Sequence, residues 1–157
     1  MDPKSVIIKF YTAFQLLDFK TMQSCYADDV VFSDPGFGLL DQGKPQAMWQ
    51  MLCTKAKDFH LSFDHIELID EEYATCQWTA KYTFSSTGNP VINHIKAYIR
   101  VQDGKITEHT DSFNFYTWSR QALGLSGLLF GWTGFMQRKV QAEAVKRLEK
   151  FMKETNA

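Results

Sequence analysis

The stretch Asp103-Gly104-Lys105-Ile106-Thr107-Glu108-His109-Thr110-Asp111-Ser112-Phe113-Asn114-Phe115 decides the fold. Asp-Gly is a hairpin signal, because both central positions of a type I′ turn need positive φ. An apolar strand, Ile95 to Val101, leads into the turn, and a second strand, Ile106 to Tyr116, leads out. On the second strand His109, Asp111, Phe113 and Phe115 lie two apart and share a face, with Thr107 preceding them in the same register. If that face is buried, a histidine and a carboxylate stand side by side among aromatic rings. Desolvation raises the pKa of such a carboxylate and a neighbouring imidazolium lowers it, so the pair can hold a proton near neutral pH.

Upstream, the same period of two continues. His60 to Ile69 reads as a strand whose apolar set changes phase between Leu61/Phe63 and Ile66/Leu68, which predicts a bulge or bend. In Tyr73 to Phe84, the set Trp78, Ala80, Tyr82 and Phe84 alternates with Gln77, Thr79, Lys81 and Thr83. Ser85 to Pro90 makes a hairpin loop. Asn93, Ile95, Ala97, Ile99 and Val101 then alternate with His94, Lys96, Tyr98 and Arg100.

Before the strands the spacing is helical. Asp2-Pro3 starts a helix, with Val6, Ile7, Phe10, Tyr11, Phe14 and Leu17 as its apolar stripe. Asp18 caps a second helix over Phe19 to Tyr26. A short strand, Val30 to Asp34, stops at Pro35-Gly36. Phe37 to Gln42 reads as a loop and Gln46 to Lys57 as a third helix. Three helices followed by an antiparallel sheet of consecutive neighbours make an α+β fold. After Trp118 comes a Gly- and Leu-rich segment, Ser119 to Gly134, then a final helix from about Thr133 to Lys153. The chain reads as a single domain, 1–157, in which 118–157 is a C-terminal helical extension. The apolar stripe of that extension needs a pocket mouth, the sheet or a second subunit to cover it.

Composition narrows the function classes. In 157 residues, 45% are hydrophobic and 22% charged, and 15% are aromatic, enough to line an apolar pocket as well as a core. A net charge of −1 gives no electrostatic footprint for nucleic acid or an acidic membrane. Cys25, Cys53 and Cys76 are an odd set without C-x-x-C spacing and read as reduced, buried, intracellular thiols. No apolar leader follows Met-Asp-Pro-Lys, and the run Leu123 to Trp132 falls short of the roughly 20 residues a bilayer span takes. A cytoplasmic protein is expected. There is no P-loop, dinucleotide fingerprint or nucleophile elbow, so no cofactor is expected. No metal is expected either, since Asp34, His109 and Asp111 carry no ligand motif.

The order of elements, together with Tyr26-Ala27-Asp28-Asp29-Val30-Val31-Phe32-Ser33-Asp34-Pro35 and Asp103-Gly104-Lys105-Ile106, resembles the nuclear transport factor 2-like (NTF2-like) superfamily, in its SnoaL-like and ketosteroid-isomerase-like branch. The resemblance covers roughly residues 5–117. It implies a cone: a curved antiparallel sheet wrapped around the N-terminal helices, dimeric through the sheet's outer face. It also implies that Asp34 matches the isomerase's general base. His109 and Asp111 match pocket-facing strand positions, and Asp111 resembles the catalytic aspartate of SnoaL-like cyclases. The chain departs from the isomerase at both oxyanion donors, where Phe10 and Ala97 stand. Ordinary ketosteroid isomerisation is therefore not expected.

Each candidate has a structural reading beside its functional one. Asp34, before a proline, is a turn initiator or a cavity-facing base. His109 and Asp111 are hydrogen-bonded strand residues or an acid–base pair. Phe10, Tyr11, Phe14, Phe32, Trp49, Trp78, Tyr82 and Phe113 pack the core or contact a substrate, and Tyr11 or Tyr82 could donate to its oxygen. The reading preferred is a small-molecule enzyme doing acid–base chemistry on an apolar, oxygen-bearing substrate in an internal pocket. The alternatives are a non-catalytic binder of a small hydrophobic ligand, with the tail as a lid, and a dimeric scaffold. The expected homodimer uses the face carrying His94, Lys96, Tyr98 and Arg100.

Overall fold

The computed structural model describes residues 2–156. Its N-terminal helix α1, Pro3–Gln15, begins where the sequence places it: Asp2 accepts a hydrogen bond from the Ser5 amide, and Pro3 fills the first turn. Its stripe of Val6, Ile7, Phe10, Tyr11 and Phe14 is fully buried. Helix α2 is Phe19–Ser24, capped by Asp18. Strand β1, Tyr26–Asp34, starts four residues earlier than expected, and a short strand β2, Gly38–Leu40, replaces the expected loop by folding back on it. Helix α3 spans Lys44–Lys55 and directs Trp49 inward.

Strands β3 (His60–Leu68), β4 (Tyr73–Thr83), β5 (Pro90–Gln102) and β6 (Lys105–Ser112) form the antiparallel meander. Asp103 and Gly104 both have positive φ, 52° and 75°, and Gln102 pairs with Lys105 across them. The phase change in β3 is a bulge after Asp64, with His65 at positive φ. On β5 the even positions from Pro90 to Tyr98 are exposed and the odd ones buried, as the alternation predicts.

Two expectations are corrected. The sheet runs β2-β1-β6-β5-β4-β3, and β1 pairs with β6 in parallel, so it is mixed rather than wholly antiparallel. Strand β6 also ends at Ser112. Asn114 accepts a hydrogen bond from the Thr117 amide and starts a helix, so Phe113 and Phe115 do not continue the strand face.

The tail forms three helices: α4 (Phe115–Leu123), α5 (Leu125–Phe130) and α6 (Gly134–Thr155). Its packing answers what covers its apolar stripe. Leu148 and Phe151 of α6 join the main core, while Met136 and Val140 pack on a second cluster of Val91, Phe115, Trp118 and Ala122. Polar contacts fasten the tail to the rim of the sheet. Gln121 exchanges two hydrogen bonds with the Ile92 backbone, and Gln137 and Gln141 both donate to the Pro35 carbonyl. Cys25, Cys53 and Cys76 are buried free thiols.

Candidate active site

His109 reaches the interior through a bulge. Arg100 pairs with Glu108 but Val101 pairs with Ile106, leaving Thr107 as the extra residue. Thr107 is therefore out of the inward register, and Ile106 and His109 both point in. From His109 the alternation holds, and Asp111 is buried beside it.

Two-residue spacing sets the pair in contact: His109 Nε2 and Asp111 Oδ1 are 2.9 Å apart. The other ring nitrogen, Nδ1, is 2.7 Å from the Tyr26 hydroxyl. The indole Nε1–H of Trp49 donates to that same hydroxyl at 2.7 Å. An indole can only donate, and Nδ1 is the one acceptor within reach of the Tyr26 proton among the described residues, which assigns the direction of the chain. Tyr26 accepts from Trp49 and gives its own proton to Nδ1, which makes Nδ1 an acceptor and puts the ring proton on Nε2, donating to Asp111. The relay therefore runs Trp49, Tyr26, His109, Asp111. Tyr11 Oη lies 3.4 Å from Nε2, and Trp78 Nε1 donates to Asp111 Oδ1 at 3.4 Å. Among the described residues, the hydrogen bonds to this carboxylate all fall on Oδ1.

The surroundings are dry. His109 has no exposed surface, and the rings of Phe10, Phe32 and Trp49 lie against it. Burial pushes the Tyr11 and Tyr26 hydroxyls well above the ordinary phenol range, and the Asp111 charge adds to the rise. Both stay protonated donors.

Asp34 stands apart, and no hydrogen bond joins it to the pair among the described residues. Its Oδ1 accepts from the Gly36 and Phe37 amides at 2.9 and 2.6 Å, an Asx turn, so the turn reading of this residue holds. Desolvation nevertheless raises its pKa to about 7, with the Asp111 charge adding and the two amide bonds opposing. Burial raises the Tyr82 hydroxyl above the ordinary phenol range, with the hydrogen bond it accepts from Trp118 Nε1 at 2.8 Å opposing and the Asp34 charge adding. Tyr82 and Phe113 touch both the main core and the tail cluster. Asp34, Tyr82 and Phe113 thus mark the seam where the tail closes the cone.

The other aromatic candidates, Phe10, Tyr11, Phe14, Phe32, Trp49 and Trp78, are all buried in the main core. The site's interior is filled by these rings. Two clefts form elsewhere: one of about 500 Å³ between β2 and α6, and one of about 320 Å³ on the outer sheet face beside His94 and Lys96. Among the described residues, no three His, Cys, Asp or Glu side chains converge as a metal-holding group. Tyr26 is the participant that sequence reasoning missed. A register break between Tyr26 and Val31 hides its inward phase, and it reads as the end of α2 instead.

The sequence pattern of the SnoaL-like domain matches residues 7–109, two thirds of the chain. The chain belongs to the SnoaL-like family. Among curated proteins none matches it. Solved structures share the fold of this SnoaL-like chain. A polyketide-cyclase candidate from Streptomyces antibioticus, IdmH, is 24% identical with a TM-score of 0.64, over 80% of this chain and all of that one. An epoxide hydrolase of Mycobacterium tuberculosis is 22% identical with a TM-score of 0.63, over 80% and 92% of the two chains. A polyketide-cyclase candidate from a Silicibacter species is 18% identical with a TM-score of 0.64, over 76% and 93%. The fold is the NTF2-like cone, its curved mixed sheet wrapped around α1, with the helical extension added. The family match ends at His109, so Asp111 and the whole tail lie beyond it.

Proposed function

We propose that this SnoaL-like protein is a small-molecule enzyme that moves protons on an apolar, oxygen-bearing substrate. The observation carrying the reading is a half-buried Asp34 that feels the charge of Asp111, itself buried beside His109. Asp34 is poised near neutrality, and Asp111 is held by the His109 relay. A carboxyl group poised near neutrality can take a proton and give it back at one pH. Asp34, ionised in part at pH 7, takes a proton from a carbon or a water. His109 has both nitrogens engaged, so it acts as a positioning residue that fixes Asp111. Oδ2 of Asp111, which takes neither the His109 nor the Trp78 bond, is left to accept a hydrogen bond from a substrate hydroxyl or a water, and the proton taken by Asp34 returns from Asp34. Tyr82, beside Asp34 at the seam, is the hydroxyl placed to donate to that oxygen in the absence of the isomerase's donors. Neighbours of this fold are named as cyclases and an epoxide hydrolase, which supports an oxygen-bearing substrate class. The tail covers the seam, so substrate enters by displacement of α4 against β4 and β5.

The test is a ligand screen by thermal shift, using apolar ketones, aromatic polyketone analogues and epoxides, followed by turnover assays on the hits. Asp34→Asn and Asp111→Asn are each expected to lower turnover at least about 100-fold. Turnover that survives both substitutions would remove the proposal. One observation favours a second reading, a ligand-free scaffold: the rings already fill the space around His109. Under that reading no compound in the screen shifts the melting temperature, and Asp34→Asn only stabilises.

A further inference from the structure

The tail's short middle helix is built inside out. The only residue of α5 that is buried is Gly127, and a side chain there would overlap the Ser119 carbonyl of α4. Gly131 is buried likewise, and a Cβ on it would overlap the Ser119 hydroxyl and the Gly127 carbonyl. The glycines let the α5 backbone lie directly on α4, which aims the large side chains the other way. Leu125 is 70% exposed, Phe130 54%, Trp132 73% and Phe135 69%, and Leu128 and Leu129 are about half exposed. These six residues fall within eleven positions. So many exposed large apolar side chains in one short stretch, unlike apolar residues scattered singly over a surface, mark an interaction site. The Trp132 indole N–H is already spent on the Leu129 carbonyl at 3.0 Å, so it asks nothing of a partner.

The charge around this knuckle differs from the molecule's average. Between Asp111 and Glu143 the chain has no acidic residue, and it carries Arg120, Arg138 and Lys139, all exposed. A net charge of −1 over the whole chain conceals this basic sector. We infer that the knuckle Leu125–Phe135 seats in the interface of an anionic lipid bilayer, its leucines and aromatic rings in the acyl boundary and its cations at the headgroups. Trp, Phe and Leu beside Arg and Lys are the composition that favours such seating. A second copy of this chain meeting knuckle to knuckle is disfavoured, because a twofold contact sets the same cations near their own copies. The knuckle does not span: among the described residues no helix is long and apolar enough to cross a membrane. The inference does not rest on the catalytic reading.

Tryptophan fluorescence reads the contact directly, because Trp49, Trp78 and Trp118 are buried and Trp132 is exposed. The full-length protein is mixed with vesicles of phosphatidylcholine alone, or with phosphatidylglycerol added. The expected result is a blue shift and quenching by brominated acyl chains, both stronger with the anionic lipid. Leu129→Glu, at an exposed position, is expected to weaken vesicle binding at least about tenfold with an unchanged melting temperature. Lys139→Gln is expected to weaken it about fivefold. Absence of any shift on either vesicle would overturn the inference. So would vesicle binding that Leu129→Glu leaves intact, or a Trp132 shift that rises with protein concentration without lipid, which would assign the surface to a second copy.

Discussion

His109 carries two hydrogen bonds of opposite sense, and its tautomer follows from an indole two residues away in the relay. Removing the Tyr26 hydroxyl would leave Nδ1 and the Trp49 N–H unpaired in a dry interior. Tyr26→Phe is therefore expected to cost about 2–4 kcal/mol, because two buried polar groups lose their partner at once. Nitrogen NMR of the histidine ring is the specific check. The wild type should show Nε2 carrying a proton and Nδ1 accepting, and Tyr26→Phe should shift the Nδ1 resonance. A wild-type ring protonated on Nδ1 would break the assigned direction of the relay. Asp34 makes the opposite kind of prediction. Its folded-state pKa is raised from 3.8 to about 7, so the folded protein binds the extra proton in that window. The stability linked to that proton is full below pH 4 and is lost as pH rises through 7. Asp34→Asn keeps the oxygen that accepts from Gly36 and Phe37 and cannot ionise. It is expected to be more stable than wild type at pH 8 by about 1–3 kcal/mol, discounted for the residue's partial exposure, and to flatten the slope between pH 4 and 8. Denaturant melts at both pH values decide this, and equal slopes for the two proteins would refute it.

Elements place these residues by register, and register explains what the sequence disclosed. The alternation on β4 and β5 and the Asp103-Gly104 turn were legible because each is local, a matter of neighbours two apart. His109 and Asp111 were legible as a pair for the same reason. Tyr26 was not, since a break between β1 and β6 separates its phase from that of Val30 and Phe32. Nor was the parallel β1–β6 pairing, which joins segments some eighty positions apart and has no local pattern. The early end of β6 does have a signal, Asn114 as a helix cap, but the two-residue spacing of Phe113 and Phe115 mimics a continuing strand and hides it. The glycines of the tail were visible as composition, while their purpose appears only with α4 in place. Gly127 packs where a Cβ would overlap the Ser119 backbone, which cannot yield as a flexible side chain would. Gly127→Ala is thus expected to lift α5 off α4. Hydrogen exchange should report faster exchange over 124–133, with β4 and β5 unchanged. An alanine variant with wild-type protection over those residues would show that the close approach is not needed.

At the scale of the whole molecule, one face of the sheet remains open. The helices and tail occupy the concave side, while the outer row of β5 presents Ile92, His94, Lys96 and Tyr98 to solvent. Strands β5 and β6 lie at the centre of the sheet order, so this row is a broad face and not an edge. Antiparallel sheets tolerate one solvated face, which by itself requires no partner. Ile92 at 45% and Tyr98 at 43% exposure are nevertheless apolar groups on an otherwise polar row. The side chain of Lys96 lies over the Tyr98 ring, and Arg100 is tied to Glu72. The homodimer proposed through this face then makes a firm prediction. Wild-type protein should sediment as a dimer at micromolar concentration, and Tyr98→Glu should sediment as a monomer. Facing copies would bring two new carboxylates together in the contact, whereas an exposed position leaves the fold of each copy intact. Because this surface is distinct from the α5 knuckle, dimerisation here should leave Trp132 emission unchanged. A wild-type monomer would remove the proposal. A dimer that persists in Tyr98→Glu would move the contact to another face.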